Sequence, residues 1–337
     1  MNNRQIRDQF KKLFIFVNEL FKRFSEEIIL FIIIVVFIST SIFYSPIFFT
    51  SYNIFNLLRN TSFTFIPSIG QLFAIISGAI DLSVGGILRI TQLISIVLIG
   101  NNFSVLTTIL IAMFVGLVIG GINGLLVAKG RLEPLIVTLG TWTILDGISL
   151  LVTDGKGVSA QTTGIFNTIG TESIGPVYYI IIITFVIAVA MGIILHKTSF
   201  GRKVYSIGDN EKAAYFSGIS VLKTKILVFI ISGILCSLTG FLMAARSAAF
   251  KPVTYYGGAS TIELATIAAV VLGGAKMTGG RGTLIGTFLG ALLTILVLNV
   301  LVLSGIQPHL QRVVIAVIII GTLLISSIRR RSKEELY

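Results

Sequence analysis

Apolar runs broken by short polar or glycine-rich interruptions recur along almost the whole chain. Ten of them read as membrane spans, at about 28–49, 62–80, 87–100, 105–127, 134–152, 176–195, 226–245, 262–272, 284–303 and 313–328. Hydrocarbon offers the backbone no hydrogen-bond partner, so runs of this kind are expected as helices that satisfy their own amides. The third and eighth runs are short, which predicts half-helices or re-entrant segments buried in protein. Ahead of the first run, Ile6, Phe10, Leu13, Val17, Leu20 and Phe24 fall three or four apart with Lys11, Lys12, Lys22 and Arg23 between them. That spacing predicts an interfacial amphipathic helix within residues 1–26. No small-residue cleavage site follows the first apolar run, so it is read as a retained helix.

The longest interruption is 197–225, a basic island between the sixth and seventh runs. Val204, Ile207, Ala213, Ala214, Phe216 and Ile219 continue an apolar pattern inside it, and Gly208-Asp209-Asn210 marks a helix start before Glu211–Phe216. A solvated positive loop would not need those apolar positions. The stretch is read as a short surface helix with one face offered to a partner.

Charge fixes the expected orientation. With the N-terminus inside, 21 of the 26 Lys and Arg residues, Arg89 among them, fall in segments assigned to the inner side and 5 in segments assigned to the outer side. The fold class is therefore an all-α polytopic membrane protein of about ten transmembrane helices with both termini cytoplasmic. Its parts are a cytoplasmic amphipathic segment (1–26), a membrane domain (27–331) and a cytoplasmic tail (332–337). A composition 54% hydrophobic and 12% charged excludes a water-soluble domain of comparable size. The net charge of +12 reads as topology and contact with membrane lipid headgroups, with no nucleic acid as partner.

Chemistry is sparse. His196 and His309 lie beside run ends with no ligand partner at helical spacing, and Cys236 sits alone in an apolar run, so neither a metal site nor a catalytic residue is expected. The glycine clusters at 155–157 and 273–282 lack the Gly-Lys-Ser/Thr order of a phosphate loop, which leaves the chain without a nucleotide site and without a cofactor of its own. Asp81, Asp146 and Glu263 lie in or beside apolar runs, where an ionisable group costs about 3 kcal/mol unless it meets a polar cavity or a partner. With Ser83 and Asn123 they are candidates for a solute path. Capping is the competing reading for Asp81 and Glu263. Gly116, Gly120 and Gly124, and Gly282, Gly286 and Gly290, fall four apart and predict close helix packing.

Five colinear stretches carry a resemblance: Gly78–Gly85, Gly121–Lys129, Thr138–Trp142, Phe200–Ile219, and Ile267–Gly274 followed by Gly279–Thr283. Together they resemble the ribose, xylose and galactose branch of the permease subunits of ABC importers. The resemblance implies that 27–331 is an ABC importer transmembrane domain in a bacterial plasma (inner) membrane, importing a monosaccharide. Implied partners are a second permease subunit, identical or related, one or more ATPase subunits that use the ATP, and an extracytoplasmic sugar-binding protein. It further implies that Gly201, Arg202, Gly208, Asn210, Ala213, Ala214 and Gly218 belong to a loop that couples to the ATPase. The rival reading is an ion-gradient-driven transporter or channel using Asp81, Asp146 and Glu263.

Overall fold

A computed structural model describes residues 26–41, 46–162, 164–252 and 262–307, with scattered helical positions between 310 and 321. The segment expected over 1–26 lies, apart from Glu26, outside the described residues, as does the tail 332–337. Helix dominates. In chain order come α1 (Glu26–Ser41), a single 3-10 turn (Pro46–Phe49), α2 (Ser51–Ile76), α3 (Val84–Gly100), α4 (Val105–Ala128) and α5 (Pro134–Thr153). They are followed by α6 (Gly164–Thr171), α7 (Tyr179–Lys197), α8 (Ser199–Asp209), α9 (Glu211–Phe216), α10 (Val221–Ser247), α11 (Ile262–Leu272) and α12 (Leu284–Leu303).

Five of these helices, α4, α5, α7, α10 and α12, are long and apolar enough to cross a membrane by length and composition, and stretches of α1, α3 and α11 are shorter apolar helices. The protein is thus a mostly helical, multi-pass membrane protein. Nine of the ten expected runs coincide with described helices, and most of the tenth falls outside the described residues. The second run needs the largest correction. It was expected from 62, after a polar link, but α2 begins at Ser51, where the Thr50 hydroxyl accepts from the Asn53 amide at 3.3 Å. Several polar residues of that first stretch are carried on the helix by partners elsewhere in the chain. Asn53 and Asn299 of α12 exchange amide hydrogen bonds at 3.1 and 2.8 Å, Arg246 donates to Asn60 at 2.7 Å, and the Arg59 guanidinium lies 4.0 Å from the centre of the Tyr178 ring.

Helix α10 is the hub, packed most extensively on α4 and then on α3 and α2. Gly116, Gly120 and Gly124 of α4 make the α4 contact possible: a Cβ at Gly116 would strike the Gly233 carbonyl, one at Gly120 the Phe229 carbonyl, and one at Gly124 would come to 2.8 Å of the Ile226 Cα. Gly286 and Gly290 play the same part where α12 crosses α11, against Gly273 and Ala269. Gly282, read as part of that stripe, lies instead in the loop before α12.

Two small antiparallel ribbons order the loops. β1 (Val158–Ser159) pairs with β4 (Ala249–Phe250), in register Val158 to Phe250, and β2 (Ser173–Ile174) pairs with β3 (Val177–Tyr178). Between them α6 drops Phe166 edge-on against Phe241 of α10, their ring centres 5.4 Å apart. Outward faces of α4, α5 and α7 are apolar, with Leu106, Phe114, Ile144, Leu151 and Phe185 all more than half exposed, as lipid-facing helices require.

The α4–α10 seam yields a prediction. Gly120→Leu forces the two helices apart and should cost about 1–3 kcal/mol, whereas Gly121→Ala, whose nearest neighbour would stand 3.8 Å away, should cost little. Thermal unfolding of the two detergent-solubilised variants separates these outcomes; equal melting would contradict the packing described.

Candidate functional site

Asp81 stands in the seven-residue break between α2 and α3, where Ser77 to Ser83 lie outside either helix. Its carboxylate is almost fully buried and is met by three donors: the Ser83 amide at 2.9 Å, the Ser83 hydroxyl at 2.5 Å, and the Ser232 hydroxyl of α10 at 2.7 Å. The network continues through Asn123 of α4, whose amide donates to the Ser83 hydroxyl at 2.9 Å and accepts from Thr141 of α5 at 2.6 Å. Thr138 adds a bond from the Leu82 amide at 2.9 Å. Asp81, Ser83 and Asn123 therefore form one buried assembly that ties the break to α4, α5 and α10. The Asp81–Ser83 contact is the local, cap-like bond of the competing reading, just ahead of α3.

The other two acids meet elsewhere, on Arg89, which the charge count grouped with the inner-side segments although it falls within the third run. Arg89 lies within α3 and is buried. Its Nε and Nη2 donate to the two oxygens of Asp146 on α5 at 2.8 and 2.9 Å, a bidentate fork, and its Nη1 stands 3.2 Å from Glu263 Oε1 on α11. Gly85 is what admits Glu263, since a Cβ there would overlap the carboxylate. The Trp142 ring lies 5.9 Å from the guanidinium and its α-carbon within 3.1 Å of a Cβ built on Gly86. Arg89 thus joins α3, α5 and α11 at one point. The sequence held a signal for it, the lone charge in the run 87–100. Ser232 and Thr138, ordinary hydroxyl residues in apolar helices, gave none.

On the side where α7 ends, the basic island folds into two helices instead of one. Thr198 caps α8, and Asn210 caps α9 by accepting from the Ala213 amide at 3.0 Å. Lys225 at the start of α10 pairs with Glu211 at 2.6 Å. Arg202, Asn210, Ala213 and Gly218 are exposed, and so are Tyr215 and Phe216, at 68% and 85%, their rings edge to face at 5.7 Å. Gly218 has φ +82° with open space around it, closing the turn after α9. Gly201 and Ala214 are buried within the chain, Gly201 because a Cβ would meet the Leu195 carbonyl.

Gly208 also turns inward. A Cβ there would strike the Ile76 carbonyl and come to 2.6 Å of the Gly280 amide, and that amide donates to Ile76 O at 2.9 Å. Beside it the Tyr205 hydroxyl donates to Gly282 O at 2.7 Å. Burial pushes the Tyr205 phenol above its ordinary value, which keeps it a donor. The island is thereby seated on the end of α2 and on the glycine loop before α12.

This arrangement has relatives. The sequence profile of the branched-chain amino acid transport system / permease component family matches residues 53–323. The chain belongs to this permease family. It is 36% identical over 290 residues to the ribose import permease protein RbsC of Escherichia coli K12, covering 84% of this chain and 88% of that one. It is 37% identical to RbsC of Haemophilus influenzae (87% and 91% covered) and 31% identical to the L-arabinose transport system permease protein AraH of E. coli K12 (89% and 90% covered). No solved structure matches the chain significantly.

The permease's Arg89 cluster predicts a strong asymmetry. Arg89→Met leaves the buried Glu263 carboxylate and the part-exposed Asp146 carboxylate without their cation and should destabilise the permease by about 3 kcal/mol, while the triple change Arg89→Met, Asp146→Asn, Glu263→Gln should regain most of that loss. Melting temperature and yield in detergent give the comparison; no recovery in the triple variant would show that the charges are not what couples the three helices.

Proposed function

We propose that this permease is the transmembrane subunit of an ATP-driven (ABC) importer for a monosaccharide, ribose or a related sugar. Two such subunits, identical or related, would enclose the path in a bacterial inner membrane, with both termini cytoplasmic. A sugar-binding protein would deliver the solute from outside, and a separate ATPase would bind α8 and α9 from within and hydrolyse the ATP. The observation that carries this reading is the similarity, over more than four-fifths of both chains, to permeases whose names specify ribose and L-arabinose.

The geometry supports a route for the stroke. Tyr215, Phe216, Ala213 and Gly218 are the exposed surface of α9 and its turn, and Arg202 adds charge beside them. These are the residues we assign to the ATPase contact. Gly201, Gly208 and Ala214 serve the same loop from inside, by seating it on the chain. Through Gly208 a displacement of α8 reaches the end of α2 and the loop before α12 without an intervening flexible side chain. From α2 it passes to the break at Asp81, which is bonded to α4, α5 and α10. On this reading Asp81, Ser83 and Asn123 hold the moving parts in register. Asp146 and Glu263 would border the path, held by Arg89, with Asp146 the more exposed of the two at 22% of its side chain. An ion-driven carrier would need acids free to exchange protons or sodium. Here Asp81 is fully engaged by donors and the other two share a guanidinium, which favours the ATP-driven reading.

Two variants separate contact from transmission. Phe216→Ala should weaken ATPase attachment, lowering both sugar-stimulated hydrolysis and uptake by roughly tenfold, as loss of one aromatic anchor does. Gly208→Val should leave the ATPase bound and hydrolysing while uptake fails. Both are read in proteoliposomes with the neighbouring ATPase and binding protein across a panel of sugars. Uptake unchanged in both, or transport that persists with no ATPase present, would refute the assignment.

A further inference from the structure

Helices α7 and α12 both pack on α2, and near the end of α7 they border an open cavity of about 640 Å³. Its walls are apolar: Val189, Gly192 and Ile193 of α7 face Leu284 and Ile285 of α12. Val189, Ile193 and Ile285 are about half exposed or more, and the neighbouring Phe185 and Val186 of α7 are more exposed still, so the cavity opens on the lipid-facing side. Its size and shape suit the upper part of an acyl chain. Gly192 sets the depth, since a Cβ there would already stand 3.3 Å from Leu284 Cδ2.

The mouth is not apolar. His196 and Lys197 in the last turn of α7 lie on one side of it, and Glu27 of α1 with Thr283 on the other. Thr283 donates to Glu27 at 3.0 Å, which fixes that carboxylate at the rim. Among the described residues Lys197 pairs with no carboxylate, although Glu27 shares its cavity. Lys197 and Glu27 both border the cavity without forming an ion pair, at the end of α7 that leads into the basic island, where a phospholipid headgroup would lie.

We propose that this groove is a binding site for one phospholipid carrying both a phosphate and a primary amine, of the phosphatidylethanolamine type. Its phosphate is held by Lys197 and His196, its ammonium donates to Glu27, and one acyl chain fills the cleft between α7 and α12. The assignment rests on charge complementarity. A purely anionic headgroup would bring its charge up to Glu27, and a choline headgroup has no N–H to give that carboxylate.

The test uses the full-length permease in lipid nanodiscs containing phosphatidylethanolamine with a diazirine on its acyl chain, photolysed and mapped by peptide mass spectrometry. Adducts are expected on 188–193 and 284–285 well in excess of those on the equally exposed face of α4 around Leu106 and Phe114. Lys197→Ala should lower that excess roughly fivefold, the factor corresponding to one basic residue at a lipid surface, and Glu27→Gln should remove the preference over phosphatidylcholine. Gly192→Phe should abolish the labelling; because it risks misfolding, Lys197→Ala, a change at an exposed side chain, is the deciding variant. Even labelling of α4 and α7, equal labelling by phosphatidylglycerol or phosphatidylcholine probes, or an Ile193→Cys variant that cross-links two copies of the chain would each overturn the proposal.

Discussion

A chain in hydrocarbon can leave a helix only where something else satisfies the freed backbone and carries any charge exposed there. In the break between α2 and α3 the Ser77, Gly78 and Ala79 amides bond back to α2, the Leu82 amide donates to Thr138 and the Ser83 amide to Asp81. Asp81 receives two bonds from the start of α3 and one from Ser232 of α10, and Ser83 passes the chain of bonds on to Asn123 and Thr141. The links among Asp81, Ser83, Ser232 and Asn123 are buried, so removing one of those partners would leave a polar group stranded at low dielectric. The break is therefore a fixed point about which four helices are arranged.

Arg89 sets the second fixed point by a different device. Two acids and one base bring a net negative charge into the protein interior, and such a cluster persists only while its geometry stays good. Asp146 takes the well-aligned bidentate share. Glu263 has ion-pair proximity without a well-formed hydrogen bond, and it sits in the first turn of α11, where the helix dipole favours a negative charge. The weaker limb of the cluster is thus the one leading to α11, an apolar helix of only 11 residues. If the cluster opens during a cycle, Glu263 is the side on which it opens at least cost.

Much of the fold was legible because a membrane simplifies the code. Apolar runs between polar breaks located nine helices, and glycines four apart marked α4 and α12 as close-packed without naming α10 and α11 as their partners. Where reading failed, polar residues were carried inside helices by partners distant in sequence. Asn53 is satisfied by Asn299 and Asn60 by Arg246, so a stretch that looked like a loop became the first turns of α2. Arg89, grouped by charge with the inner-side segments, is likewise carried inside a helix by partners distant in sequence. The five residues singled out as a candidate path, three acids with Ser83 and Asn123, form two separate clusters, a division set by which helices cross and not by spacing along the chain. In the basic island the cap at Asn210 was visible, while α8 was hidden because its amphipathic face packs on the chain itself.

That packing decides how force can travel. A flexible surface loop would absorb a push from a partner, but α8 meets α2 and the glycine loop backbone to backbone, through Gly208, Ile76 and Gly280, with Tyr205 bonded to Gly282 alongside. Backbone contacts of this kind have little compliance, since no rotamer can relax them. The same contact leads toward both α2, with its break at Asp81, and α12, which carries Glu27 on Thr283 at the lipid groove. A displacement of the basic island would be felt at the central polar network and at the membrane boundary together. On the proposed function, the surroundings of the groove would then bias the same movement that an ATPase would drive.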